Sequence, residues 1–139
     1  MRDTEKTIGK LIDGIQVAFI ASVDDGGFPN MKAMLAPRMR EGIKVFWFTT
    51  NTSSMRVRQY RNNPKASVYF YDKKFMYHGI QLVGTMEVLE DAVSKEMIWE
   101  SGDTLYYKQG VTDPDYCVLR FTAVKGRYYH AFKSEDFEC

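Results

Sequence analysis

The sequence predicts a mainly β protein, an antiparallel barrel of six to seven short strands carrying about three helices. Three observations lead there. Apolar residues gather in short runs bounded by turn residues, which is the patterning of strands. Helical spacing is confined to three short segments. Those helices are too few for a parallel sheet, which needs one after nearly every strand.

Ile8, Leu11, Ile12 and Ile15 recur at helical spacing, with Asp3 or Thr4 as cap and Gly14 as terminator, so an amphipathic helix opens the chain. Val17 to Val23 is the first strand, and Asp24-Asp25-Gly26-Gly27 reads as a hairpin turn into a second, Asn30 to Ala36. Pro37 requires that second strand to end or to lie at an edge. Ile43 to Thr49, rich in Val, Phe and Trp, is the third. A helix from Ser53 to Asn62 follows. Asn63-Pro64 stops it, because the residue before proline is pushed out of the helical region. Ala66 to Tyr71 is the fourth strand. In the long fifth, Ile80, Leu82, Gly84, Met86 and Val88 alternate with Gln81, Thr85 and Glu87, and Gly84 marks a bend or a close backbone approach. After an Asp91 cap, Val93, Met97 and Ile98 share one side of a third helix that ends at Gly102. Cys117 to Val124 and Gly126 to Phe132 form a final hairpin.

The 139 residues carry no linker, repeat or low-complexity tract, so residues 1–139 are read as one domain. No apolar run approaches the ~20 residues of a membrane span. The first residues lack the apolar core of a signal peptide, and two cysteines make no disulfide framework or metal-ligand spacing. A reduced, cytoplasmic protein without a metal is expected. A net charge of +1 removes the bulk electrostatic argument for a nucleic-acid binder. The charge is nonetheless uneven. From Lys32 to Lys65 eight basic residues oppose the single acid Glu41, whereas from Glu87 to Asp103 six acids oppose Lys95. The basic half is either a solvated face or the place where an anion sits.

The most informative stretch runs from Val45 to Arg58, where a buried strand ends in Thr49-Thr50-Asn51-Thr52-Ser53-Ser54 and enters a helix. The first helical turn exposes unpaired N–H groups and the positive end of the dipole, where a cation is normally disfavoured. Arg56 falls there all the same. An anion at the helix start, held by N–H groups, the Ser53 and Ser54 hydroxyls and the guanidinium, removes that conflict. The alternative is a plain Ser53 N-cap with solvated arginines. In the second strand Lys32 and Met34 point to one face, so a cation and an apolar contact lie side by side; a lysine snorkelling to solvent is the alternative.

Taken together these segments resemble the pyridoxamine 5'-phosphate oxidase-like family of FMN-binding split barrels, and within it the short general-stress-protein branch. The likeness includes Gly27-x-Pro29, Lys32 to Leu35, Phe48-Thr49-Thr50, Ser54-Met55-Arg56, Asn63-Pro64, the Gly84 strand, the acidic helix after Asp91, and Asp113-Pro114-Asp115-Tyr116. The resemblance implies a split barrel that binds FMN in a groove between two copies of the chain. Lys32 matches the basic residue that begins the flavin-contacting strand, with Ala33, Met34 and Leu35 along the ring system. Thr49 and Thr50 match a pair whose groups contact the flavin, and Arg56, helped by Ser54, matches the holder of the phosphate.

The sequence also departs from the full-length oxidase. Met55 stands at a second basic position, Pro37 at a lysine and Gly79 at a ring-contacting glutamine, with Gln81 two residues on. The chain ends at Cys139, before the segment that grips the pyridoxal substrate, so vitamin B6 oxidation is not expected. What the resemblance implies is a homodimeric flavin-dependent oxidoreductase acting on a small molecule. The alternative is a module that binds or stores flavin, haem or a deazaflavin without turnover. No catalytic residue is assigned, because in such proteins the isoalloxazine performs the redox step. Cys117 reads as a buried structural thiol, His78 and His130 as rim residues, and Tyr128-Tyr129-His130 as core and dimer packing or as a lining for a neighbour's flavin.

Overall fold

The computed structural model describes residues 2–73 and 77–139. An amphipathic helix, α1 (Arg2–Asp13), leads into β1 (Val17–Val23), β2 (Pro29–Leu35), β3 (Met39–Glu41) and β4 (Val45–Asn51). Helix α2 (Met55–Asn62) precedes β5 (Lys65–Asp72) and β6 (His78–Leu89). Helix α3 (Ala92–Met97) and two short 3-10 turns then lead to β7 (Tyr116–His130) and β8 (Lys133–Glu138). The strands form one eight-stranded antiparallel sheet in the order β2-β1-β5-β6-β7-β4-β3, with β8 on β7. It is a mainly β split barrel, as the sequence predicts. β2 and β3 are the two ends of the order, joined covalently through Ala36 to Arg38 where Pro37 breaks the strand.

Strand alternation places Ala18, Ile20, Phe46, Phe48, Val68, Phe70, Ile80, Leu82, Leu119 and Phe121 inside the curl. Helix α1 adds Ile8 and Ile12 to that core, and α2 adds Val57 and Tyr60. A second, smaller cluster on the other face of β4 and β7 gathers Trp47, Ile98, Tyr107, Tyr116 and Val118. The buried thiol of Cys117 belongs to the main core, as its spacing with Leu119 and Phe121 predicts.

The structure corrects the sequence reading at several elements. Helix α1 begins at Arg2, so Asp3 and Thr4 lie inside it rather than capping it. The three-residue β3 is a strand that periodicity is too short to show. Helix α3 ends at Met97, not Gly102, and its Val93 and Met97 are exposed while Ile98 alone of the three is buried. The final hairpin turns at Ala131-Phe132, both with positive φ, and β7 runs unbroken through Lys125-Gly126. Gly126 is a close-approach glycine, not a turn glycine: a Cβ there would lie 2.4 Å from the Phe137 ring and 2.6 Å from Leu82. Gly84 marks the expected irregularity, a register shift at Val83/Gly84 where a Cβ would meet the Thr122 carbonyl oxygen at 2.0 Å.

Candidate functional site

The segment 51–56 connects the end of β4 to the start of α2, and its backbone is held by a residue from far along the chain. Asn51 Nδ2 donates to Asp115 Oδ2 at 2.8 Å, Ser53 N–H donates to Asp115 Oδ1 at 2.8 Å, and Thr52 N–H donates to the Asp115 carbonyl at 2.8 Å. Ser54 N–H closes the turn on the Asn51 carbonyl at 3.0 Å. Ser54, not Ser53, is the N-cap: its hydroxyl accepts from Val57 N–H at 3.4 Å, a long bond for a cap. Helix geometry leaves the Met55 and Arg56 amides without intrahelical acceptors.

Arg56 is the second residue of α2, at the positive end of the helix dipole. It is half-buried, and burial lowers its pKa from the ordinary arginine value with no carboxylate acting against that loss. Its Nε is buried without a hydrogen-bond partner, whereas the nearby Thr52 hydroxyl is directed at the Cys117 thiol. Buried polar atoms are paired in the great majority of cases, so the orphaned Arg56 Nε marks this loop as a candidate polar site. Burial pushes the Cys117 thiol up, with the Thr52 hydroxyl opposing the shift; this thiol is not a reactive one.

On the adjoining strand Lys32 is exposed, and it shares a face with Asn30 and the half-buried Met34, opposite Ile20, Ser22 and Ala18 of β1. Ala33 and Leu35 point to the other face, so the four residues Lys32 to Leu35 do not present their side chains together. The Lys32 face is tied to α2. Ser22 Oγ donates to Gln59 Oε1 at 2.5 Å, and Tyr60 Oη donates to the Ala21 carbonyl at 2.9 Å. A groove of about 300 Å³ lies beside them, lined by Asp24, Asp25, Phe28 and Asn30 on one wall and Met55 and Arg58 on the other; Lys32, Met34 and Arg56 do not line it. Thr49 and Thr50 likewise diverge. Thr50 is buried on the main-core face, while Thr49 is directed at Tyr107 of the second cluster. Ser53 commits both its amide and its hydroxyl to Asp115, so the hydroxyl expected to hold an anion is turned to a carboxylate instead.

His78, Tyr128 and His130 meet at the opposite end of β7 from this loop. Tyr128 Oη lies 3.0 Å from His78 Nδ1, and its ring stacks on His130 at 4.3 Å. Tyr129 turns to the outer face, where Arg127 lies 5.6 Å from its ring centroid. Gly79 is covered by Tyr69, whose hydroxyl would sit 2.1 Å from an added Cβ, while Gln81 is exposed on the same face. Among the described residues, no helix is long and apolar enough to cross a membrane and no group of three or more His, Cys, Asp or Glu is placed to hold a metal. Thr52 and Asp115 are the site residues that sequence reasoning misses: Thr52 reads as an ordinary turn residue, and nothing local places Asp115 on a loop 62 residues earlier.

The profile of the pyridoxamine 5'-phosphate oxidase family matches residues 4–130, most of the chain. The chain belongs to that family. Within it the general-stress-protein branch is the one it resembles. A solved protein from Clostridium acetobutylicum, related to general stress protein 26 of B. subtilis and placed in the pyridoxinephosphate oxidase family, is 37% identical over 99% of this chain and 96% of that one, with a TM-score of 0.90. General Stress Protein 26 from Bacillus anthracis str. Sterne is 19% identical over 98% of both chains, TM-score 0.81, and shares the fold. A NimC/NimA family protein from Clostridium acetobutylicum is 23% identical over 97% of this chain and 92% of that one, TM-score 0.76, and shares the fold as well. No curated protein matches the sequence.

Proposed function

We propose that this family member is an FMN-binding homodimer that acts as a flavin-dependent oxidoreductase on a small molecule. One observation carries the reading: a half-buried Arg56 with no anionic partner among the described residues and its Nε orphaned, at the start of a helix. A phosphate dianion fits that donor set, because it accepts from the Met55 and Arg56 amides, the Ser54 hydroxyl and the guanidinium together. Lys32 would add a second cation, and Met34 on the same face an apolar contact for a flat ring. When bound, FMN supplies the electron or hydride acceptor. The chain's own part is to bind the phosphate, to orient the cofactor along β2 and to desolvate the Arg56 charge so that its attraction is less screened.

The outer face of the sheet supports the dimer. Val17, Phe19, Met31 and Leu35 are exposed there on paired positions of β1 and β2, and Tyr71 continues the patch on β5. An exposed apolar patch that spans three strands marks an interaction surface more often than chance exposure does. Light scattering at micromolar concentration is expected to give twice the chain mass. FMN added to apo-protein is expected to bind at micromolar concentration and to take on a protein-bound flavin spectrum; no uptake overturns the reading. NAD(P)H oxidation with an added acceptor tests turnover, and its absence reduces the proposal to FMN binding.

A further inference from the structure

Asp115 places a carboxylate against the loop that would receive a phosphate, which is the wrong sign for a ligand of that phosphate. Both of its carboxylate oxygens already accept hydrogen bonds from the loop. One oxygen accepts from Asn51 Nδ2 and the other from Ser53 N–H, while its backbone carbonyl accepts from Thr52 N–H, all at 2.8 Å. The Ser53 hydroxyl, with the Asn51 amide and the Ser53 N–H, holds its carboxyl below the usual aspartate range. We propose that Asp115 is the positioning residue of the anion site: it fixes residues 51–53 so that the Met55 and Arg56 amides and the Arg56 guanidinium converge on one point.

The proposal rests on the FMN-phosphate reading above, and it adds where the loop's geometry comes from. Asp115 is itself anchored. Its N–H donates to Asp113 Oδ1 at 2.9 Å, and the other Asp113 oxygen accepts from Gln109 N–H at 3.1 Å. The Asp113 carbonyl accepts from Lys95 Nζ at 3.0 Å, and the Lys95 carbonyl accepts from Tyr116 Oη at 2.7 Å. Pro114 stiffens the segment between the two aspartates. The loop is thus shaped by a strut rooted in the second cluster rather than by its own residues. A loop of small polar residues that must order on binding loses affinity to that ordering, and one held in place does not. The Asp115 carboxylate is partly exposed, so the high dielectric of the adjoining water weakens its repulsion of a phosphate.

The test compares FMN with riboflavin, which lacks the phosphate, on the full-length protein, its Asp115→Ala variant and its Asp115→Asn variant. Wild type is expected to prefer FMN. Asp115→Ala is expected to weaken FMN about 10-fold while changing riboflavin by less than about 2-fold. Asp115→Asn keeps the acceptor for Ser53 N–H but sets its own amide against Asn51 Nδ2, so a smaller loss, about 3-fold, is expected for FMN alone. If Asp115→Ala does not fold, Asp115→Asn decides the matter by the same selectivity. In the Arg56→Ala background the Asp115→Ala loss should shrink, because both residues act on one phosphate. Equal losses for FMN and riboflavin overturn the positioning role while leaving the phosphate site intact. A wild type that binds the two ligands equally overturns the phosphate reading and this inference with it.

Discussion

Two arginines in this chain meet burial in opposite ways. Arg38 has a side chain 12% exposed, and it is matched to Asp103, 3% exposed, by paired contacts of 2.6 and 2.8 Å, with the Ile98 carbonyl accepting at 3.1 Å. Its pKa is raised by that hydrogen-bonded partner. Arg56 has the same chemistry and a comparable loss of water, yet no carboxylate answers it and burial lowers its pKa. Arg38 binds the second cluster to the barrel and has no capacity left for a ligand. Arg56 keeps a charge that the fold does not neutralise. A buried ion pair contributes to structure only while both members are present, whereas an unanswered buried cation is a standing binding energy for an anion.

The comparison breaks most visibly at Asp103. Asp103→Ala leaves the buried Arg38 with only the Ile98 carbonyl at 3.1 Å and the exposed Glu100 carboxylate at 3.6 Å, and should cost about 3 kcal/mol in denaturant unfolding. Converting both, Arg38→Met with Asp103→Leu, should recover most of that loss. Because the Arg38 hydrogen bond holds the Asp103 carboxyl below its ordinary value of 3.8, its stabilisation is present above that value and is lost as pH falls through the lower folded one. The gap in melting temperature between wild type and Asp103→Ala should therefore narrow below about pH 4.

Arg56→Ala should behave the other way. FMN binding should weaken by about 1.5–3 kcal/mol, riboflavin binding should not change, and unfolding free energy should stay within about 1 kcal/mol of wild type. A stability loss as large as that of Asp103→Ala would show that Arg56 has an internal partner after all. Ser54→Ala removes the long cap bond to Val57 and should cost no more than about 1 kcal/mol of stability, with a larger proportional effect on FMN than on riboflavin.

Much of this arrangement is legible in the residues. Val17 to Val23 matches β1 residue for residue, and the end of α2 at Asn62 follows from Pro64, because these features depend on local sterics and alternation. The core of the proposed anion site, Ser54 and Arg56, is legible for the same reason: a basic residue in a first helical turn is a local contradiction. What the residues conceal is non-local. Gly126 looks like a turn and is a contact point for Phe137. Val93 and Met97 look like a buried stripe and face outward, since α3 packs through Ile98 and Lys95. The Asp113–Asp115 strut is invisible in spacing because its partners lie on a loop that only the β4–β7 pairing brings near.

A crystal structure of the protein grown with FMN tests most directly where the phosphate rests. The phosphate is expected at the Met55 and Arg56 amides, with a guanidinium nitrogen of Arg56 about 2.7–2.9 Å from one of its oxygens. A phosphate bound elsewhere, or that position filled by one of the chain's own side chains with FMN present, would contradict it.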